Sequence, residues 1–263
     1  MNLKDTLWHR ILRRPYRLQL TSDTGKGKPL VLLHGIASSG HVWQPLIKQL
    51  DPAKWRVIAP DLLGFGESPK PDWSSYDVKQ HARSVVVTLR KLGIKKGVTL
   101  AGHSMGSLVA VHIAAKYPKL VKRLVLYEPP LFADLSDYKV HTRRRDRHFA
   151  FYDYLVARPQ LVLGYVRALG RLAKRFGVFM TPDSWIPFER SLRHTIMRQT
   201  AYDELHAIAL RTDIIHGRLD FVVTRAEVKR MFADNPHIHM HIVNQLHGVT
   251  PRAAKYLAGL LSG

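Results

Sequence analysis

The chain has 263 residues, 46% hydrophobic and 23% charged, enough for one full-sized globular domain, with or without an insertion, to bury a core without covalent staples. It has no cysteine, which excludes a disulfide framework, thiolate metal sites and a cysteine nucleophile, and fits a reducing compartment. The net charge of +21 suits an anionic membrane surface or an anionic substrate; nucleic acid is not expected, because neither an RNP-like aromatic pattern nor zinc-ligand spacing accompanies it.

In chain order, the first segment, MNLKDTLWHRILRRPYRLQL, sets Leu3, Leu7 and Ile11 on one helical stripe among Lys4, Arg10, Arg13 and Arg14. It reads as a short amphipathic helix packed on the body of the protein, the alternative being a basic helix resting on a membrane. It lacks the continuous apolar core of a signal peptide, and no apolar run in the chain approaches the roughly 20 residues of a membrane span. A cytoplasmic location, at most peripheral on a membrane, is therefore expected.

YRLQL (16–20) is expected as the first strand, and PLVLLHG (29–35) as a buried one. A helical-period segment follows around Trp43, Leu46, Ile47 and Leu50, then strand WRVIAPD (55–61). Val78, Ala82, Val85, Val86 and Leu89 fall at helical spacing in a helix over 77–92, ended by Gly93. Strand VTLAGHS (98–104), helix SLVAVHIAAKY (107–117) and strand KRLVLYEPP (122–130) continue the alternation. After Leu131 the alternation stops: residues 131–203 hold helical segments and no convincing strand. It resumes with strand TDIIHGRLD (212–220), helix RAEVKRMFA (225–233), strand HIHMHIVNQ (237–245) and helix PRAAKYLAGLL (251–261). Strand-then-helix order of this kind implies a mostly parallel central sheet with helices on both faces, and a helical insertion.

LAGHSMGS (100–107) places Ser104 between Gly102 and Gly106, after a strand and at the start of a helix. That setting is the one a nucleophile elbow requires. Glycines let strand and helix approach closely, Ser104 is held out at the carboxyl end of the sheet, and the Met105 N–H faces a reacting carbonyl. The helix N-terminus there favours developing negative charge.

With LVLLHGIASSGHVW (30–43), VIAPDLLGFGESPKP (57–71), LAGHSMGS, IIHGRLDFVV (214–223) and LHGVT (246–250), the chain resembles the α/β-hydrolase family over nearly its whole length. Ser107, where many relatives carry glycine, is a small departure expected to change little. The resemblance implies the α/β-hydrolase fold, with a core of residues 1–130 and 204–263 and a helical cap of residues 131–203. It also implies the order serine, acid, histidine. His247, in a loop after the last strand, is then the base and later the acid, and Asp220, in the IIHGRLDFVV motif, the residue that orients it. Glu128, ending a strand at the same edge, is the competitor for the acid. His237, His239 and His241 alternate along one strand face, and with no carboxylate expected in register they read as a solvated or partly covered face, not a metal site.

The match of His34-Gly35 to the family's motif makes the Ile36 N–H the second oxyanion donor beside Met105. His34, Gly35 and His103 are candidate substrate contacts, with loop shaping or packing beneath the turn as the other reading of each. Asp61, Gly64 and Gly66 read as structural. In the cap, ten Lys and Arg between Lys139 and Arg175 face only Asp146 and Asp153, so a basic outer surface over an aromatic pocket competes with plain solvated helix faces.

The expected function is a cofactor-independent, metal-independent serine hydrolase acting on a small-molecule carboxylic ester, or on a related carbonyl, through an acyl-enzyme on Ser104. Carbon–carbon bond hydrolysis or acyl transfer would use the same triad, and a non-catalytic ligand-binding or membrane-surface protein could share the fold. Dehalogenase and epoxide-hydrolase chemistry is disfavoured, because those relatives place aspartate where Ser104 stands.

Overall fold

The computed structural model describes residues 6–131, 139–175, 177–220 and 235–262, with the backbone alone at 139–147 and 175. Seven strands form one sheet: β1 Leu20–Thr24, β2 Lys28–Leu33, β3 Trp55–Pro60, β4 Val98–His103, β5 Val121–Tyr127, β6 Thr212–Gly217 and β7 Ile238–Val243, in the order β1-β3-β2-β4-β5-β6-β7. β1 runs antiparallel to β3 and every other pairing is parallel, so the carboxyl ends of β2 through β7 share one edge.

Successive residues on the central strands alternate between two apolar layers. Val31, Leu33, Leu100, Leu124, Leu126 and Ile214 face one layer. It is closed by α2 (Val78–Lys91) and α3 (Met105–Lys116). Leu30, Leu32, Ala101, Val125, Tyr127 and Ile215 face the other, closed by Trp43 and Leu46 around the short α1 (Gln44–Ile47) and by α9 (Pro251–Ser262). Both faces of the sheet are covered, as near-continuous apolar strands require. Asp77 caps α2 by accepting the Gln80 N–H at 2.9 Å.

Between β5 and β6 the described residues contain helices and no strand: α4 (Lys139–Val156), α5 (Pro159–Leu169), α6 (Arg171–Arg175), α7 (Trp185–Ser191) and α8 (Ala201–His206). α8 packs on the core through buried Ala201 and Leu205, and its Glu204 pairs with His112 of α3 at 2.7 Å, so residue 203 lies within an element that belongs to the core layer. The helix expected over 225–233 lies outside the described residues.

Two expectations change. The first strand is β1, four residues later than the stretch 16–20. Tyr16 and Leu18 are buried, yet the Leu18 N–H goes to Thr88 Oγ1 and the Gln19 N–H to Ser68 Oγ, so the alternation there comes from a loop packed on α2 and held by side chains. The N-terminal segment is a π-helical turn, Thr6–Ile11, with no buried residue. Its His9 ring stacks on Tyr16 at 3.7 Å, which turns the apolar stripe outward: Leu7, Trp8, Ile11 and Leu12 are 51–65% exposed. Of the expected stripe, Leu3 lies outside the described residues, and Leu7 and Ile11 do not pack on the body.

Candidate active site

β4 runs directly into Ser104, whose φ of 50° lies in the left-handed region that a residue with a side chain avoids. Strain of this kind, of order 1–3 kcal/mol, persists only where the surroundings enforce it. Here they do: a Cβ on Gly102 would stand 2.4 Å from the Gly106 carbonyl oxygen, and one on Gly106 would stand 2.4 Å from that of Leu33. Ser107 contributes more than expected, since its Oγ donates to the Gly102 carbonyl at 2.8 Å and ties helix to strand.

The structure brings three residues named from the sequence into one hydrogen-bonded line. Ser104 Oγ is 3.0 Å from His247 Nε2, and His247 Nδ1 is 2.9 Å from Asp220 Oδ2. With Asp220 as acceptor, Nδ1 carries the ring proton and Nε2 is left to accept from the serine hydroxyl. The loop bearing His247 is held from beneath. His103 Nε2–H donates to the His247 carbonyl at 2.6 Å, and the Tyr127 hydroxyl donates to the Gly248 carbonyl at 3.1 Å. Tyr127 was not singled out from the sequence; its position as the last residue of β5, one strand from Ser104, was the available signal.

Just past β2, Gly35 runs so close to Ser104 that a Cβ there would lie 3.2 Å from Ser104 Cβ. Among the described residues, neither the Ile36 N–H nor the Met105 N–H forms a hydrogen bond. The loop is fixed on its far side, where the Phe179 N–H, from the segment after α6, donates to the Ala37 carbonyl at 2.7 Å. His34 is a correction. It is fully buried, its Nδ1–H donates to the Gly35 carbonyl at 2.7 Å and its Nε2 accepts the Leu62 N–H at 2.8 Å, so both nitrogens shape the loop and neither can meet substrate. His103 is also turned away: it is buried, engaged with the His247 carbonyl, and lowered to about 3 by burial and then by His247, so it stays neutral. Asp61 knots the next loop, accepting from the Gly40 and Glu67 N–H groups and from Thr21 Oγ1.

The family model for the alpha/beta hydrolase fold matches residues 28–249. The chain belongs to the α/β-hydrolase family. It is 35% identical over 120 residues to the probable lysophospholipase BODYGUARD 4 of Arabidopsis thaliana, covering 45% of this chain and 28% of that protein. The matches span about half or less of the first curated relatives' lengths. Among solved structures, an esterase from Exiguobacterium antarcticum aligns with a TM-score of 0.74 at 21% identity over 94% of this chain and 98% of the esterase. The haloalkane dehalogenase DbeA from Bradyrhizobium elkani aligns with a TM-score of 0.72 at 22% identity over 94% and 97%. At such identities the likeness concerns the fold.

In this α/β-hydrolase chain the competing acid, Glu128, has a place of its own. It is fully buried, its φ is 50°, and its Oε1 accepts the Gly217 N–H at 2.7 Å. Its carboxyl lies close to that of Asp220, with ligand atoms within 4.8 Å of one another. Two ionised carboxylates so close repel each other. Burial first, and then Asp220, push Glu128 up to about 10, so it holds a proton at neutral pH. It is Asp220, not Glu128, that contacts the His247 ring.

Glu128, His216 and Asp220 offer ligand atoms within 4.8 Å of one another. A cation does not fit the hydrogen bonds present. His216 Nδ1 lies 3.1 Å from the Gly217 carbonyl and 3.3 Å from Glu128 Oε2, where it must donate, and Asp220 is engaged by His247.

The histidines of β7 need a second correction. A carboxylate does sit in register: Asp213 pairs across from His239, and its Oδ1 accepts from His241 Nε2 at 3.0 Å. Arg123 binds the other oxygen at 2.7 Å and the Tyr256 hydroxyl meets His241 Nδ1 at 3.0 Å, so the face is partly covered, as expected, around a buried Asp213 away from Ser104, while His237 and His239 stay exposed. Reading β7 alone hid it, because the carboxylate comes from the neighbouring strand β6.

Proposed function

We propose that this chain is a cofactor-independent serine hydrolase of carboxylic esters, with Ser104 as nucleophile, His247 as base and Asp220 as its orienting acid. The observation that carries this reading is the continuous line Ser104 Oγ–His247 Nε2, Nδ1–Asp220 Oδ2, with steps of 3.0 and 2.9 Å. Ser104 Oγ attacks the ester carbonyl carbon while its proton passes to His247 Nε2. Asp220 holds the ring and stabilises the imidazolium without taking the proton. The carbonyl oxygen becomes an oxyanion between the Ile36 and Met105 N–H groups, each donor being worth roughly 3 kcal/mol of barrier. Collapse breaks the ester C–O bond, His247 gives its proton to the departing alkoxide, and an acyl-serine remains. Water, deprotonated by His247, repeats the sequence and frees the acid.

Positioning falls to residues behind this line. His103 and Tyr127 hold the 246–248 loop, and Glu128, kept neutral, lies against Asp220 without adding a second charge. Residues 131–203 act as the cap. Support comes from the Phe179 N–H clamped on Ala37, beside the oxyanion donor Ile36, and from Tyr152 of α4, raised by burial and by the charge of Asp220. An aspartate nucleophile, which the dehalogenase reading needs, is absent from position 104.

A fluorophosphonate probe tests the assignment. Labelling of Ser104 that disappears in Ser104→Ala, with turnover of p-nitrophenyl esters, is the expected result. Folded protein that neither labels nor turns over any ester would leave the ligand-binding reading.

A further inference from the structure

Helix α5 reads PQLVLGYVRAL, and none of its residues is buried. Leu163 and Val166 line a cavity of about 760 Å3 against Ser39, His41 and Phe179. A surface helix of this length normally turns its polar face to water. This one presents Leu161, Tyr165 and Leu169, spaced by four, at 44, 64 and 49% exposure, with Leu172 at 48% just beyond it. The charges around the stripe have one sign: Arg158, Arg167, Arg171 and Lys174 accompany it, and no acidic residue occurs between Asp153 and Asp183. The same chemistry recurs at the N-terminal turn, where outward Leu7, Trp8, Ile11 and Leu12 stand among Arg10, Arg13 and Arg14.

We infer that the outer face of α5, together with the N-terminal turn, docks this chain on an anionic lipid surface. Leucine and tryptophan enter the outer acyl region, Tyr165 sits at the interface, and the guanidinium groups meet lipid phosphates. A second copy of the chain is a poor occupant, because it would set cation against cation across the contact. Since α5 lies in the segment assigned as the cap, this deepens the ester-hydrolase reading, on which it rests for its substrate class: esters held in membranes.

The test is flotation of the full chain with phosphatidylcholine vesicles, with and without phosphatidylglycerol, beside hydrolysis of a soluble short-chain p-nitrophenyl ester and of a vesicle-held lipid ester. Wild type is expected to float with anionic vesicles and to lose most binding in about 0.5 M salt, where charges are screened within a few ångströms. The variant L161Q/Y165Q/L169Q is expected to lose binding and vesicle-held turnover by about tenfold or more while soluble-ester turnover stays within about twofold. Should that variant not fold, R167Q/R171Q supplies the same comparison through charge alone. Failure of wild type to bind either vesicle, unchanged binding by both variants, or a concentration-dependent dimer abolished by L161Q/Y165Q/L169Q would overturn the docking surface. Soluble-ester turnover without vesicle binding removes the docking alone; vesicle binding with no turnover of any ester removes the hydrolase reading alone.

Discussion

Two histidine–aspartate pairs stand on this sheet. At its carboxyl edge His247 meets Asp220; toward the opposite edge His241 meets Asp213. The spacings are nearly equal, 2.9 and 3.0 Å, so the pair itself does not mark a reactive centre. The differences lie around it. Asp213 is neutralised by Arg123, and the far nitrogen of His241 meets a tyrosine hydroxyl. Asp220 is backed by a neutral carboxyl group, and the far nitrogen of His247 meets a serine held at a φ of 50° beside two N–H groups that form no hydrogen bond among the described residues. One pair sits in a network that closes on itself; the other is left with a group that can react.

Substitutions should separate the two. Ser104→Ala is expected to lower kcat on a short ester by about 10^6-fold and Asp220→Asn by about 10^4-fold. Asp213→Asn should leave kcat/KM within about twofold while costing about 3 kcal/mol in denaturant unfolding, because it removes the buried carboxylate that pairs with the mostly covered Arg123. Loss of turnover in a folded Asp213→Asn protein would break the comparison.

Much of the arrangement was legible before any coordinates. Pattern placed six of the seven strands: five carry apolar runs buried on both faces that end near glycine, proline or the elbow, and β7 shows as an alternating, part-exposed strand. Motif order named Ser104, Asp220 and His247. Pattern went astray where burial was not pairing, as at Tyr16–Leu18, and where partners come from another element. His34 looked like a substrate contact because the motif marks the loop's position, not the direction of the ring, and the ring's partners, Gly35 and Leu62, appear only on folding. The outward stripe of the N-terminal turn was visible as a pattern, but its direction depends on the stacking of His9 on Tyr16.

Smaller effects sharpen the contrast. Glu128 is raised from an ordinary value near 4 to about 10, so the folded chain keeps a proton the unfolded chain loses. Its contribution to stability is complete at low pH and declines as pH rises through that window, by up to about 1.4 kcal/mol per pH unit. Glu128→Gln, which can accept from Gly217 and has no proton to lose, should flatten this decline and keep kcat/KM near wild type. Glu128→Ala should lower both stability and turnover.

His103 gives the opposite sign. Lowered to about 3, it is neutral when folded, so its contribution is complete above about 6.5 and is lost as pH falls toward 3. His103→Gln should reduce the acid sensitivity of unfolding. The smallest change is expected of Tyr127→Phe, about 1 kcal/mol of stability and a few-fold in kcat through a looser 246–248 loop, with KM little altered.

The contact between Gly106 and the Leu33 carbonyl has a practical consequence. One added methyl group at 106 would act as a wedge, prying the end of β2 from the helix and separating the loop after β2 from Ser104. For the proposed hydrolase, new ester selectivity would have little room to arise at that junction. It would more readily come from the helices between β5 and β6, where side chains can be exchanged without disturbing the Ser104–His247–Asp220 line.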